Sequence, residues 1–407
     1  MRVEPVERMH WKRGGNWGAP EPELLRQAVS DGLKKRTLLT LPRNTVARCL
    51  CWTTLAAMVW MTKDASGQEE LPFWAPGLGS FREFRLTPEY EDTLEKLILF
   101  FDPRNKPAVQ TQVNLLRVLP DYTRVKMVVM SGGDEELLRE AVPEGVHKRI
   151  EFIQPANPNY LVWAQDSCKG DSRVKLLPWD HGTEWLAPGQ QACFGEEVRR
   201  VPLLFHGGNV LHTRDGDGRT VLFIGANDYV RTVGLYAGLN VDLSMDAFKE
   251  IVMGAFCVER VEVLATSMAE YGPLQDPPLM HIDQIILPVD DGVMAVLTVD
   301  ATSPHYRVLS KYREQVEAAG FRAVPIATND YRLEKQQSYV NAIVFTNKDT
   351  GRRTVIMPIF PDQAGRYEII ELNLAARKAF ESIGLDVKVV CDHVYAGGGN
   401  LHCLSLR

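Results

Sequence analysis

From Phe73 onward, short apolar runs alternate with amphipathic stretches, separated by glycine-rich or polar turns. Val125-Lys-Met-Val-Val-Met130 reads as a buried strand, followed by the breaker Ser131-Gly-Gly-Asp134 and a helix over Glu135 to Val142. Further strands are predicted at Ile150 to Ile153, Val201 to Phe205, Thr220 to Ile224, Arg260 to Ala265 and Ile285 to Val289. Four more follow at Met294 to Leu297, Ala342 to Phe345, Thr354 to Pro358 and Val387 to Val390. Helical spacing predicts helices at Leu86 to Phe101, entered through Thr87-Pro88, and at Met245 to Phe256, Tyr306 to Ala319 and Glu371 to Ile383. Strand pairs close enough for hairpins, interleaved with helices that return the chain, indicate an α/β fold rather than one smoothly wound parallel sheet. No low-complexity segment or long linker interrupts residues 73–407, which read as one domain.

The N-terminal part differs. Residues 1–48 form a polar extension of mixed charge, with a short helix predicted from Glu21 to Lys35. Residues 49–61 are an uncharged apolar segment, preceded by Lys34-Lys-Arg36, Arg43 and Arg48 and followed by Ala65-Ser-Gly67. That segment is too short to span a bilayer, which takes about twenty residues. The stretch 34–67 has the order of a secretory signal but lies far from Met1, so two readings stand. Either the functional start lies within this region and the protein is exported, or the segment is an apolar helix packed on the main domain of a cytoplasmic protein. Any membrane contact would run through this stretch alone.

Composition narrows the partners. A 407-residue chain with 45% hydrophobic residues can bury a large core. Its net charge of −6 argues against a nucleic-acid footprint, which needs clustered Lys and Arg, and is compatible with a cationic small substrate. The seven cysteines (49, 51, 168, 193, 257, 391 and 403) are odd in number and scattered, so neither a disulfide framework nor a paired zinc motif is suggested.

Polar residues of chemical interest fall in four places: Trp163-Ala-Gln-Asp166, His206-Gly-Gly-Asn209, His281-Ile-Asp283, and the tail Gly397-Gly-Gly-Asn-Leu-His-Cys403. Strand alternation would put His281 and Asp283 on one face. Glycines in the tail allow a sharp turn or close backbone approach, which would deliver Cys403 as a nucleophile; the other reading is a turn before a last core strand, with Cys403 as a small buried hydrophobe. The spacing contains neither HExxH nor paired CxxC, so no metal is expected. Acyl transfer by Cys403, His281 and Asn400 is a second use, but two carboxylates sit poorly beside a developing oxyanion. They suit a guanidinium group, which is cationic, planar and presents N–H donors in a fork that a carboxylate receives in a bidentate way.

In this order the four clusters resemble the guanidino-group-modifying superfamily, which includes protein-arginine deiminases, agmatine deiminase and amidinotransferases. Trp163-Ala-Gln-Asp166 is similar to the protein-arginine deiminases, whereas the Gly-rich tail, Ser338-Tyr-Val-Asn341 and Val355-Ile-Met-Pro358 are similar to agmatine deiminase. The resemblance covers roughly residues 120–407 and implies a pseudo-fivefold α/β propeller of ββαβ modules around a central pocket. It implies Cys403 as nucleophile, His281 as acid then base, and Asp166 and Asp283 as guanidinium clamps. It places Trp163, His206, Gly207, Gly208, Asn209, Gly398, Gly399 and Asn400 at the substrate pocket, with no cofactor. Hydrolysis of a small or peptidyl guanidino substrate (arginine, peptidyl arginine or an agmatine-like amine) to a ureido product follows. An amidinotransferase, or a silent binding protein of the same fold, is the alternative. Many small-molecule members carry an acid where this chain has His206. Another acid, or a carbonyl, would then have to hold the catalytic histidine, or activity would be weaker. Arg231 and Lys335 are candidates for a substrate carboxylate, and no calcium loop is recognisable.

Overall fold

A computed structural model describes residues 86–129, 131–154, 163–170, 174–179, 197–238, 240–264, 281–361, 371–394 and 399–407. The extension 1–48, the apolar segment 49–61, the stretch 34–67 and residues 73–85 lie outside the described residues.

The apolar runs become short strands in five small sheets. β1 (Lys96–Phe100), β2 (Arg124–Val128) and β3 (Ile150–Ile153) pair in parallel in that order. β4 (Lys169–Gly170), β5 (Val174–Leu177) and β6 (Glu197–Arg200) make the second sheet, antiparallel between the first two and parallel between the last two. The same rule builds the next three strands: β7 (Val210–Arg214) and β8 (Thr220–Gly225) form a hairpin, and β9 (Arg260–Leu264) lies parallel to β8. It recurs in β10 (Ile286–Asp290), β11 (Val293–Thr298) and β12 (Arg322–Ala327), and in β13 (Ile343–Thr346), β14 (Arg353–Ile359) and β15 (Asp386–Cys391). Finally β16 (Ser405–Leu406) pairs antiparallel with β1, so the end of the chain completes the first sheet by the same rule. The protein is therefore a mixed α/β fold of repeated small sheets, not one wound sheet.

Local chemistry explains the repeat. Three hairpin turns carry a glycine in the left-handed region, Gly218 (φ 80°), Gly292 (φ 65°) and Gly351 (φ 67°), where a side chain would be strained. Gly292 also donates its N–H to the Arg214 carbonyl at 2.8 Å, tying two neighbouring sheets together. A parallel pair needs a crossover, and helices provide it. They include α1 (Lys106–Val118), α2 (Gly132–Ala141), α3 (Ala226–Gly238), α4 (Met245–Phe256), α5 (Tyr306–Ala318) and α6 (Glu371–Ser382). α2 is started by a capping box of Ser131 and Asp134, and α4 by Ser244, whose hydroxyl accepts from the Ala247 N–H. α5 buries Val308, Leu309, Tyr312 and Val316, one stripe of its surface, against a core shared with β10, β11 and α6.

Three predicted elements differ from the structure. Leu86 to Phe101 is not a helix: its end is the central strand β1, buried along Leu97–Phe100 on both faces. A strand covered on both sides reads as a continuous apolar run, which periodicity alone cannot separate from a buried helix. Val201 to Phe205 is a buried irregular segment just after β6, held by Val201 N–H to the Leu177 carbonyl and Trp179 N–H to the Leu203 carbonyl. His281-Ile-Asp283 lies in a 3₁₀ turn, Ile282–Gln284, rather than a strand. The other described elements named from the sequence agree within three residues, while the crossover helices α1 and α3 and the strands β4, β5, β6, β7, β12 and β16 went unpredicted. The helix predicted at Glu21 to Lys35 lies outside the described residues.

The C-terminal anchor is testable. The Arg407 guanidinium donates to the carbonyls of Glu89 and Val344 and is nearly buried, so it clamps β16 to two distant segments. Arg407→Ala is expected to cost about 3 kcal/mol, the scale of charge-assisted bonds lost with their carbonyls left buried. A urea denaturation midpoint reads it.

Candidate active site

The segments that immediately precede the first strand of each sheet converge. Asp166 sits in a 3₁₀ turn, Ala164–Ser167, before β4; Gly207–Asn209 forms a second before β7; His281 and Asp283 flank and enter the third before β10. Asn341 precedes β13 and Cys403 precedes β16. These pre-strand segments thus meet in one place.

The geometry there is close. A methyl built on Gly208 would lie 2.9 Å from Asp283 Oδ2 and 3.2 Å from both Asp166 Oδ1 and His281 Nδ1. His281 Nδ1 is 3.3 Å from Asp166 Oδ1. The Cys403 thiol donates to Asp283 Oδ2 at 3.5 Å. Asp166 Oδ1 and Asp283 Oδ1 are both buried with no hydrogen-bond donor among the described residues. Two carboxylates, each with an oxygen that accepts no hydrogen bond among the described residues, make a site rich in acceptors, which suits a ligand with N–H donors.

The electrostatics follow from burial. Loss of water pushes the Asp166 carboxyl up to about 6, with the Asp283 charge adding to the effect and His281 opposing it. Burial raises the Cys403 thiol well above its ordinary value, and the charges of Asp283 and Asp166 raise it further. A sulfur so placed stays protonated until a cation enters.

The remaining sequence candidates divide. Trp163 packs its ring edge against Gly399, where an added methyl would come within 2.9 Å of it and 3.1 Å of Cys403 Cβ. Gly207 faces backbone instead of a pocket, its missing Cβ lying 1.9 Å from the Gln165 carbonyl oxygen. Asn209 is fully buried, and its amide is spent inside the fold: it donates to Asp228 Oδ2 at 2.8 Å and to Asn227 Oδ1 at 2.6 Å, and accepts from the Ile282 N–H at 3.2 Å. It holds the His281 turn against α3. Asn400 accepts from the Ser338 N–H at 3.0 Å, bracing the tail in the same way. Gly398 lies outside the described residues.

His206 takes the place of an acid. Its Nδ1 is 3.1 Å from His281 Nε2, and the Arg231 guanidinium lies 3.0 and 3.1 Å from its two nitrogens. Burial, then the neighbouring His281 and Arg231, hold His206 well below the usual imidazole range, so it stays neutral. The acid in this part of the site is Asp228, which accepts from the His206 N–H at 3.3 Å and lies 3.4 Å from Arg231. Lys335, the other cationic candidate, is exposed at the end of a short helix, Asp330–Glu334.

Three residues escaped the sequence reading of the site. Asn341 accepts from the His402 N–H at 2.9 Å and the Cys403 N–H at 3.3 Å, and its amide lies 3.2 Å from Cys403 Sγ. Its motif was legible; its contact with the sulfur was not. Asp228 belongs to α3, which the sequence did not suggest. Glu89 lies in what reads as a helix entry, yet its carboxylate meets His402 Nε2 at 2.9 Å and Lys169 Nζ at 2.6 Å.

The comparisons with known proteins agree with this geometry. Agmatine deiminase of C. Jejuni superposes with a TM-score of 0.56, 18% identity, and coverage of 79% of this chain and 95% of that one. A cysteine-to-serine form of the same enzyme with substrate bound gives a TM-score of 0.57, 17% identity and the same coverage. No curated protein matches the chain. These likenesses show a shared fold. The family model of the Porphyromonas-type peptidyl-arginine deiminases matches residues 99–407, and the chain belongs to that family.

The bare face of Gly208 provides a test. Gly208→Ala is expected to leave the melting temperature close to wild type while weakening binding of a guanidino compound roughly 100-fold, since small misplacements at a reacting centre cost that much. Calorimetric titration and thermal melting separate the two effects.

Proposed function

We propose that this protein hydrolyses the guanidino group of an arginine side chain, in a peptide or free, to a ureido group. The observation that carries the reading is the pair of carboxylates at the bare face of Gly208, Asp166 and Asp283, each with a buried oxygen that accepts no hydrogen bond among the described residues, and with the Cys403 thiol 3.5 Å from the other oxygen of Asp283. A guanidinium entering between them supplies the missing donors and offsets two negative charges in a bidentate geometry. The family match and the five pre-strand positions support the same reading, with the five sheets standing as blades around this pocket.

The chemistry proceeds by covalent catalysis. The bound cation lowers the cost of the thiolate; the thiol gives its proton to neutral His281, and the sulfur bonds to the central guanidinium carbon. The bond from that carbon to one terminal nitrogen breaks, the electron pair leaves with nitrogen, and protonated His281 supplies the proton that completes the amine. Neutral His281 then takes a proton from water, whose oxygen displaces the sulfur. The sum is one guanidinium and one water giving a ureido group and ammonium. Neutral His206 orients His281, doing with an imidazole what an acid does elsewhere.

A low-pKa thiolate in the free protein, which a reactive cysteine would suggest, does not fit the buried thiol beside two carboxylates. The cation must come first. Chloroacetamidine, which carries an amidinium, is therefore expected to label Cys403 at neutral pH much faster than neutral iodoacetamide, and Asp166→Asn to erase that preference. Equal rates with both reagents would remove the substrate-assisted step.

The pH dependence has a definite sign. Asp166 carries its charge only above about 6, so guanidino affinity is expected to fall as pH drops through that value, by up to about tenfold per unit. Asp166→Asn should flatten the profile.

A ureido-product colour assay across peptidyl arginine, arginine and agmatine identifies the substrate. Cys403→Ser should abolish the signal without unfolding the protein. Product formed only when a second amine is added would instead favour an amidinotransferase.

A further inference from the structure

His402 is next to the nucleophile in sequence and takes no step in the chemistry above, yet it is among the most constrained polar groups in the protein. It is 2% exposed. Its Nδ1 lies 2.8 Å from Asp283 Oδ2 and its Nε2 2.9 Å from Glu89 Oε2. Both partners are carboxylates, which can only accept when ionised, so both ring nitrogens must carry a proton. The geometry by itself makes this ring an imidazolium. Burial opposes that charge, but the Glu89 carboxylate and the bonds to Asp283 and Glu89 outweigh it and push the pKa up to about 9.

Glu89 is held in turn. Lys169 Nζ, nearly buried, is 2.6 Å from its Oε1, and the Arg407 guanidinium is 3.9 Å from its Oε2. Burial disfavours its charge, but Lys169, His402 and Arg407 overcome this and hold its carboxyl well below the ordinary range. On the other side of the ring, Asp283 Oδ2 is shared between His402 Nδ1 and the Cys403 thiol. The chain Lys169–Glu89–His402–Asp283–Cys403 is thus continuous. Beyond Asp283 stand Asp166 and His281. Glu89 lies just before residues 99–407, the span that the family model matches.

We propose that His402 is a positioning residue for the nucleophile: locked between Glu89 and Asp283, it aims the Asp283 oxygen at the thiol and supplies the fixed positive charge that makes the Cys403 thiolate attainable. Two carboxylates bordering a sulfur oppose its ionisation, and one permanent cation on the far side of Asp283 counters part of that field. Glu89 keeps the cation charged, and Lys169 keeps Glu89 charged. The inference rests on the deiminase reading for its purpose, but its effect on the sulfur can be measured without turnover.

The test uses the full chain and chloroacetamidine labelling of Cys403, followed by mass spectrometry from pH 5 to 10. In His402→Gln the fixed charge is lost, and the rising, acid-side limb of the labelling rate should move up by about one pH unit or more, a roughly tenfold loss at a given pH on that limb. Glu89→Gln leaves the ring with one carboxylate, so His402 should lose its proton at lower pH and the rate should decline on the alkaline side. Glu89→Asp should restore the wild-type profile. Limbs that coincide with wild type in both variants, even with uniformly slower labelling, would overturn the proposal, because a merely structural role lowers rates without moving limbs. Wild-type nitrogen NMR of the His402 ring decides the matter if a variant does not fold. Two protonated ring nitrogens at pH 8 are expected, and a neutral tautomer there would refute the assignment. If the limbs shift as stated but the wild-type protein forms no ureido product from any guanidino compound, the deiminase reading fails and the positioning role stands.

Discussion

Two aspartates, Asp283 fully buried and Asp166 largely so, converge on the bare face of Gly208, and much of the structure around them answers that constraint. Burying one carboxylate costs several kcal/mol, and a second nearby adds repulsion. The fold tolerates the pair because it sets cations around it: His402 stands behind Asp283, Lys169 and Arg407 behind Glu89, and Arg231 beside Asp228.

The repeat explains how so many chain segments reach one point. Each sheet begins with a strand preceded by a tight turn, and those turns present Asp166, Gly208, Asp283, Asn341 and Cys403 to a common space. A side chain on a 3₁₀ turn is fixed by the strand that follows it, so the site inherits the rigidity of five sheets. The supporting amides serve the same end. Asn209 ties the His281 turn to α3, Asn400 ties the tail to Ser338, and Asn341 grips the backbone of His402 and Cys403. His206 meets His281 through its ring, and Asp228 lies behind it, accepting from the His206 backbone N–H.

Much of this was legible beforehand because local rules act locally. Hairpin glycines, capping boxes and one-sided apolar stripes each depend on a few neighbouring residues, so α4, α5, β8 and β14 could be read directly. The chemistry-bearing motifs were legible for a related reason. Trp163-Ala-Gln-Asp166, His206-Gly-Gly-Asn209, His281-Ile-Asp283 and the tail each set polar or reactive side chains close together in a short stretch, the second and the last among glycines. The failures have a physical cause too. β1 is buried on both faces, and its apolar run carries no period; Val201 to Phe205 is apolar because it is covered, not because it pairs.

The amino-acid order by itself determined the elements, the repeat of short strands and the inventory of a thiol, an imidazole and two acids suited to a cationic carbon. Only the tertiary structure decided which groups share an electric field. Glu89 and His402 are separated by more than three hundred residues, and their contact depends on β16 returning to β1. Charge acts through space while the chain records only succession, so the protonation of the His402 ring and the reluctance of the Cys403 thiol belong to the folded molecule alone.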